Sequence, residues 1–179
     1  MKKSILIPAL SVVLAALVLF GATHALSGIA TENRKREHLY IMQTLLPGNE
    51  NYFTVEPYAG EDENIVSIHK GLNGFVIETK TYGYAGDITM LVGVSTEGTV
   101  TGLVVRHLTE TYGLGRNALT DTEFLSQFLN TSGEAAVGET VDALTGATVT
   151  SKAITRAVNS AVAYVTGADA SSGATSWGG

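Results

Sequence analysis

The sequence predicts an α+β protein: a single N-terminal transmembrane helix followed by one α+β domain built on an antiparallel sheet. Three observations carry this prediction. No Asp, Glu, Lys or Arg occurs from Ser4 to Thr31, and Ile5–Phe20 is rich in Ile, Leu, Val and Ala. Five short, alternating, β-branched runs follow between residues 52 and 107, the pattern of half-buried strands. From Thr148 to Val165, apolar residues recur at three- and four-residue spacing, as on an amphipathic helix.

The N-terminal stretch is long enough to span a bilayer, since roughly 20 helical residues at about 1.5 Å each cross the hydrocarbon. Pro8 sits in its first turns, where a missing N–H costs little. The rival reading is a cleaved signal peptide with Lys2 and Lys3 at its charged end, but Thr23-His24-Ala25 is a poor cleavage site. The expectation is a retained anchor, residues 1–31, crossing the cell (inner) membrane once with the domain on the extracytoplasmic side. A lipid anchor is excluded because the chain has no cysteine. Residues 1–37 carry five basic and two acidic side chains, leaving six basic and fifteen acidic, a net of −9, for residues 38–179. A basic collar beside the membrane and an acidic domain held away from anionic headgroups fit that split, and so does an ordinary solubilising surface.

Beyond the span, Glu32–Leu46 continues helically with Leu39, Met42, Leu45 and Leu46 on one side, until Pro47-Gly48 stops it. This defines a juxtamembrane segment, 32–49. The domain, 50–167, opens with strands over Tyr52–Val55, Ile65–His69 and Gly74–Thr79. Ile88–Ser95 and Val100–His107 form a hairpin through Thr96-Glu97-Gly98. Thr120–Leu129 reads as a short helix capped by Thr120 or Asp121, with Phe124, Leu125 and Phe128 on its apolar face. The closing helix runs Thr148–Val165 with Gly167 as its C-terminal cap. Residues 168–179, rich in Ser, Gly and Ala, form a flexible tail.

Composition narrows the chemistry. The absence of cysteine removes disulfides, thiolate catalysis, iron–sulfur clusters and thiolate metal sites. The four histidines, His24, His38, His69 and His107, share no ligand spacing, so no metal site is expected. An electron carrier in this chain would have to be organic. A net charge of −6 argues against nucleic acid, which requires a basic face. No Walker loop, G-x-S-x-G or H-E-x-x-H occurs, and no base–nucleophile set supports a hydrolase.

Two loops remain. Asp142-Ala143-Leu144-Thr145-Gly146-Ala147-Thr148 opens the last helix, where small residues, free N–H groups and the positive helix end suit an anion, phosphate above all. Thr148, Thr150 and Ser151 crowd that first turn. The bland alternative makes Thr148 a plain N-cap. The second candidate joins Gly83-Tyr84-Ala85-Gly86-Asp87 to His107–Gly115. Here Tyr82, Tyr84 and Tyr112 beside glycines either flank a planar ligand or edge the core. Gly113–Ala118 formally matches G-x-G-x-x-A. The parallel strand ending in an acidic residue that a dinucleotide fold needs is missing, so the match is rejected.

The D-x-x-T-G-A-T of Asp142–Thr148 resembles the flavinylation motif of the FMN-binding domain family. That family includes the G subunit of the Rnf electron-transport complex and the C subunit of the sodium-pumping NADH:quinone reductase. Gly83-Tyr84-Ala85-Gly86-Asp87-Ile88 is similar to its G-Y-x-G-x-I segment. Glu110-Thr111-Tyr112-Gly113-Leu114-Gly115 is similar to its E-T-P-G-L-G loop, with Tyr112 where the family usually has proline and thus a candidate to face a flavin. The resemblance reaches from the anchor to Gly167, and the chain's length favours the Rnf type.

The resemblance implies an electron-transfer subunit with FMN as its cofactor, joined covalently by a flavin transferase through its phosphate to Thr148. Asp142, Thr145, Gly146 and Ala147 would shape the attachment loop. Tyr84, Glu110, Thr111, Gly113 and Leu114 would lie near the ring or phosphate, and Lys152 would offset the phosphate charge or remain a solvated lysine. The partners would be other membrane subunits of the redox complex. The alternatives are a stand-alone anchored flavoprotein and a non-redox anchored binding domain.

Overall fold

A computed structural model describes residues 3–49, 52–133 and 135–168, with side chains from residue 11 onward. It divides into two units, 1–40 and 41–179.

The first unit is helical. Helix α1 comprises Lys3–Leu45. The segment Ser11–Leu45 is long and apolar enough to cross a membrane. Its large apolar side chains, Val12, Leu17, Phe20 and Leu26 among them, are exposed.

The second unit is an antiparallel five-stranded meander in the order β1-β2-β3-β4-β5: Thr54–Glu56, Ile65–Lys70, Gly74–Tyr82, Asp87–Ser95 and Val100–Leu108. Every strand pairs with its chain neighbour, with no parallel crossover among them. That agrees with rejecting a dinucleotide fold. Strand β3 runs three residues past its expected end because Lys80, Thr81 and Tyr82 pair with Thr89, Ile88 and Asp87. Lys80 Nζ also meets Asp87 Oδ2 at 2.7 Å.

Helix α3, Thr148–Thr166, packs across β3 and β4. Ile154, Ala157, Val158, Ala161 and Val162 are buried against Ile68, Ile77, Val92 and Val94. Thr81 Oγ1 donates to the Ala153 carbonyl at 3.0 Å, fixing the helix start against β3. Gly167, left-handed at φ 70°, ends α3 as expected.

Met42 and Leu45, at the end of α1, and Leu46 just after it are buried in the second unit. Two glycines make room for them. Gly93 and Gly102 face each other across β4 and β5, and a Cβ on Gly93 would overlap the Leu45 carbonyl. Thr101 Oγ1 donates to that carbonyl at 2.6 Å.

Helix α2, Thr122–Ser126, is shorter than the expected Thr120–Leu129. Asp121, not Thr120, caps it: Phe124 N donates to Asp121 Oδ1 at 2.9 Å. Beyond Ser126 the amides of Gln127, Phe128 and Leu129 bond three residues back, so the chain leaves the α geometry in tight turns. Phe124 and Phe128 are buried edge-to-face at 5.4 Å. The tail expected at 168–179 lies, beyond Ala168, outside the described residues.

Candidate functional site

The sequence that opens α3 folds into a tight turn, with Ala147 N donating to the Leu144 carbonyl at 2.9 Å and Gly146 left-handed at φ 72°. Ser151, buried one turn into the helix, locks it. Its Oγ accepts from Leu144 N at 3.0 Å and donates to the Ala147 carbonyl at 3.0 Å.

Thr148 is therefore not the N-cap, as the bland alternative had it. Ala147 occupies that position and offers no side-chain cap, and Thr148 is the first helical residue. Its side chain is exposed and makes no hydrogen bond among the described residues. The first amides of a helix have no intrahelical acceptor. Here no side chain caps them and no acidic residue stands in the first turn. The result is an electropositive, open helix end with a hydroxyl on its first residue.

The facing wall comes from two loops. Residues 83–86 join β3 to β4, closed by Gly83 N donating to the Gly86 carbonyl at 2.9 Å. After β5, residues 110–114 turn back, with Leu114 N and Arg116 N both donating to the Thr111 carbonyl. A 3-10 helix, Gly115–Leu119, follows. Glu110 ties the loops together. It is 9% exposed, and its Oε1 accepts Tyr84 N at 2.7 Å and Ala85 N at 3.3 Å. A Cβ on Gly83 would overlap that oxygen, and one on Gly115 would overlap Thr150 Oγ1, so glycine at both places lets the elements close on the carboxylate.

Between these walls lies a cleft of about 440 Å³, within the roughly 300–1,000 Å³ usual for small-molecule sites. The structure brings Tyr84, Glu110, Thr111, Leu114, Gly146, Ala147 and Thr148 together around it. It adds three residues that were not singled out as ligand-binding: Gly115, Val149 and Thr150. Gly115 closes the E-T-Y-G-L-G run and Thr150 stood among the crowded hydroxyls, so both were within reach of the sequence. Val149, 45% exposed at the rim, carried no signal.

Asp142, Thr145, Gly113 and Lys152 do not line the cleft. Asp142 braces the 142–148 loop from outside: its backbone N donates to Gln127 Oε1 at 2.7 Å and its carbonyl accepts from Gln127 Nε2 at 3.3 Å. Tyr112 and Tyr82 do not face the cleft either. Tyr112 is 89% exposed, and the Tyr82 carbonyl accepts from Arg156 Nη2 at 3.0 Å. Of the three tyrosines, Tyr84 alone lines it.

The cleft suits a phosphate-bearing planar group. Leu114, Ala147 and Val149 give it apolar surface, the uncapped α3 start suits the phosphate, and no group of three metal-ligating side chains occurs among the described residues.

Residues 83–163, which hold both loops and most of α3, match the family described as the FMN-binding domain. The G subunit of the ion-translocating oxidoreductase complex of Methanosarcina acetivorans is 35% identical over 140 residues, covering 69% of this chain and 72% of that one. The G subunit of the proton-translocating ferredoxin:NAD(+) oxidoreductase complex of Clostridium ljungdahlii is 37% identical over 99 residues, 51% of this chain and 53% of its own. The Na(+)-translocating counterpart of Acetobacterium woodii is 34% identical over 98 residues, 50% of this chain and 47% of its own.

Proposed function

The chain belongs to the FMN-binding domain family, among its G-subunit members, and from that premise we propose that it is a membrane-anchored electron-transfer subunit of an Rnf-type ion-translocating ferredoxin:NAD oxidoreductase complex. FMN is held by a phosphoester to Thr148, installed by a flavin transferase. Helix α1 anchors the chain in the cell membrane, the domain lies on the extracytoplasmic side, and the partners are the other membrane subunits of the complex.

The observation that carries this reading is the exposed Thr148 hydroxyl on the uncapped first turn of α3, opening into the cleft. The isoalloxazine ring supplies the redox chemistry when bound, and the protein supplies position and electrostatics. Thr148 presents its Oγ as the attachment point. The uncapped first-turn amides of α3 would hold the phosphate diester and oppose its single negative charge. A charge at an exposed helix end is worth about 0.3–1 kcal/mol, too little to retain a flavin, so the ester is what makes retention permanent. Ser151 and Gln127 hold the attachment loop from its two sides. Leu114 and Val149 would give the ring apolar surface, and Glu110 keeps the two facing loops together. Lys152, one turn along α3, lies outside the cleft.

The test is intact-protein mass spectrometry of the full chain made with and without a flavin transferase. The reading expects a gain of one FMN less one water with the transferase, and loss of that gain and of flavin fluorescence in Thr148→Ala. Unchanged flavin in Thr148→Ala contradicts it. Co-purification with integral membrane subunits tests the placement in a complex.

A further inference from the structure

The wall of the cleft is electrostatically one-sided. Glu110 is its one carboxylate, and among the described residues no Lys, Arg or His lines it. The carboxylate is also fixed in place. Two backbone amides hold Oε1, Gly83 and Gly115 crowd it from either side, and the side chain is almost fully buried. Charges held inside the protein are screened far less than exposed ones. Arg116 and Arg156, exposed to solvent, do not match it.

The start of α3 is the competing influence, with roughly half a positive charge at its end. A phosphate diester on Thr148 brings a full negative charge to that end and more than cancels it. What the cleft then presents to the ring is the Glu110 carboxylate.

Resting on the reading that FMN occupies this cleft, we propose that Glu110 sets the reduction potential of the flavin, holding it low. Reduction adds electrons to the ring. Whatever part of the added charge is not matched by a proton from solvent is opposed by a fixed negative group nearby, so the reduced form is disfavoured and becomes the stronger electron donor. Glu110 thus acts twice: its Oε1 joins the two loops, and its charge tunes what they enclose.

The experiment uses the full chain made with a flavin transferase, with loading read by mass and the midpoint potential by titration with dithionite. Glu110→Gln keeps an oxygen for the Tyr84 and Ala85 amides and removes the charge. Thr111→Lys leaves Glu110 in place and adds a positive charge to the cleft wall through an exposed side chain. Glu97→Gln, in the β4–β5 turn, removes a charge remote from the cleft. Midpoints shifted to more positive potential in Glu110→Gln and Thr111→Lys, with Glu97→Gln at the wild-type value, support the proposal. A fully loaded Glu110→Gln whose midpoint is unchanged or more negative overturns it. Should Glu110→Gln fail to load, Thr111→Lys decides, and an unchanged midpoint there overturns it equally. A wild-type chain that acquires no flavin contradicts the parent reading, and this inference falls with it.

Discussion

Glu110 and Tyr84, 26 positions apart in sequence, are joined by a 2.7 Å hydrogen bond from the Tyr84 amide to the Glu110 carboxylate. This bond makes one wall out of the β3–β4 loop and the segment after β5. Glu110→Ala leaves the Tyr84 and Ala85 amides without their acceptor. The expected cost is about 1–3 kcal/mol of unfolding free energy, measured by urea denaturation of the full chain in detergent. A loss below a few tenths of a kcal/mol would mean the two loops hold without it.

Gly115 is the position where the wall tolerates no side chain. Its Cβ would meet Thr150 Oγ1 and the Glu110 side chain, and both neighbours are buried. Gly115→Ala is expected to destabilise by about 1–3 kcal/mol, the range for overpacking, and to lower flavin loading under limiting transferase. Gly113→Ala is the comparison. No atom lies within 4 Å of a Cβ there, although its φ of 77° adds backbone strain, so its loading should fall less. The check is flavin fluorescence of the purified chain per mole of protein.

Ser151 holds the 142–148 loop to α3 through its bonds with Leu144 N and the Ala147 carbonyl. Ser151→Ala leaves the buried Leu144 amide unsatisfied, a cost of about 1–3 kcal/mol. Because the loop carries Thr148, flavinylation should also slow, measured as the time course of the mass gain. Equal stability and equal rate would show that the turn is held by its own backbone.

Tyr164 gives a pH dependence. Burial first, then the Glu56 carboxylate, with which its phenol hydrogen-bonds at 3.3 Å, and then Tyr58 push its pKa above the ordinary 10.0. The folded state therefore favours the protonated phenol. This contribution to stability is fully present below about pH 10 and is lost as pH rises through the folded value. Ultraviolet titration of phenolate should show a tyrosine ionising later than the others, missing in Tyr164→Phe and moved back toward 10.0 in Glu56→Gln.

The sequence revealed the elements better than the contacts between them. The three- and four-residue spacing of Ile154, Ala157, Val158, Ala161 and Val162 announced α3, and alternation announced the strands. Strand β3 ran longer than expected because Lys80 and Tyr82 are polar on the open face, while the alternation persisted through buried Thr81. The site was half legible. The three glycine-bearing motifs named most residues of the cleft, but spacing did not show that Glu110 reaches back to Tyr84, since that depends on strand register. The rule that favours a hydroxyl N-cap pointed to Thr148. The fold instead secures the turn through Ser151, which frees the Thr148 hydroxyl and leaves the helix end open. Asp142 and Thr145 belong to the motif yet stand outside the cleft.

The most direct test of the account is peptide mapping of the native chain, isolated from its own membranes, across the α3 start. The account predicts that the peptide containing Thr148 carries the mass of FMN less one water and that fragmentation localises it to that residue. A peptide found wholly unmodified, or modified at Thr145, Thr150 or Ser151 instead, would contradict it.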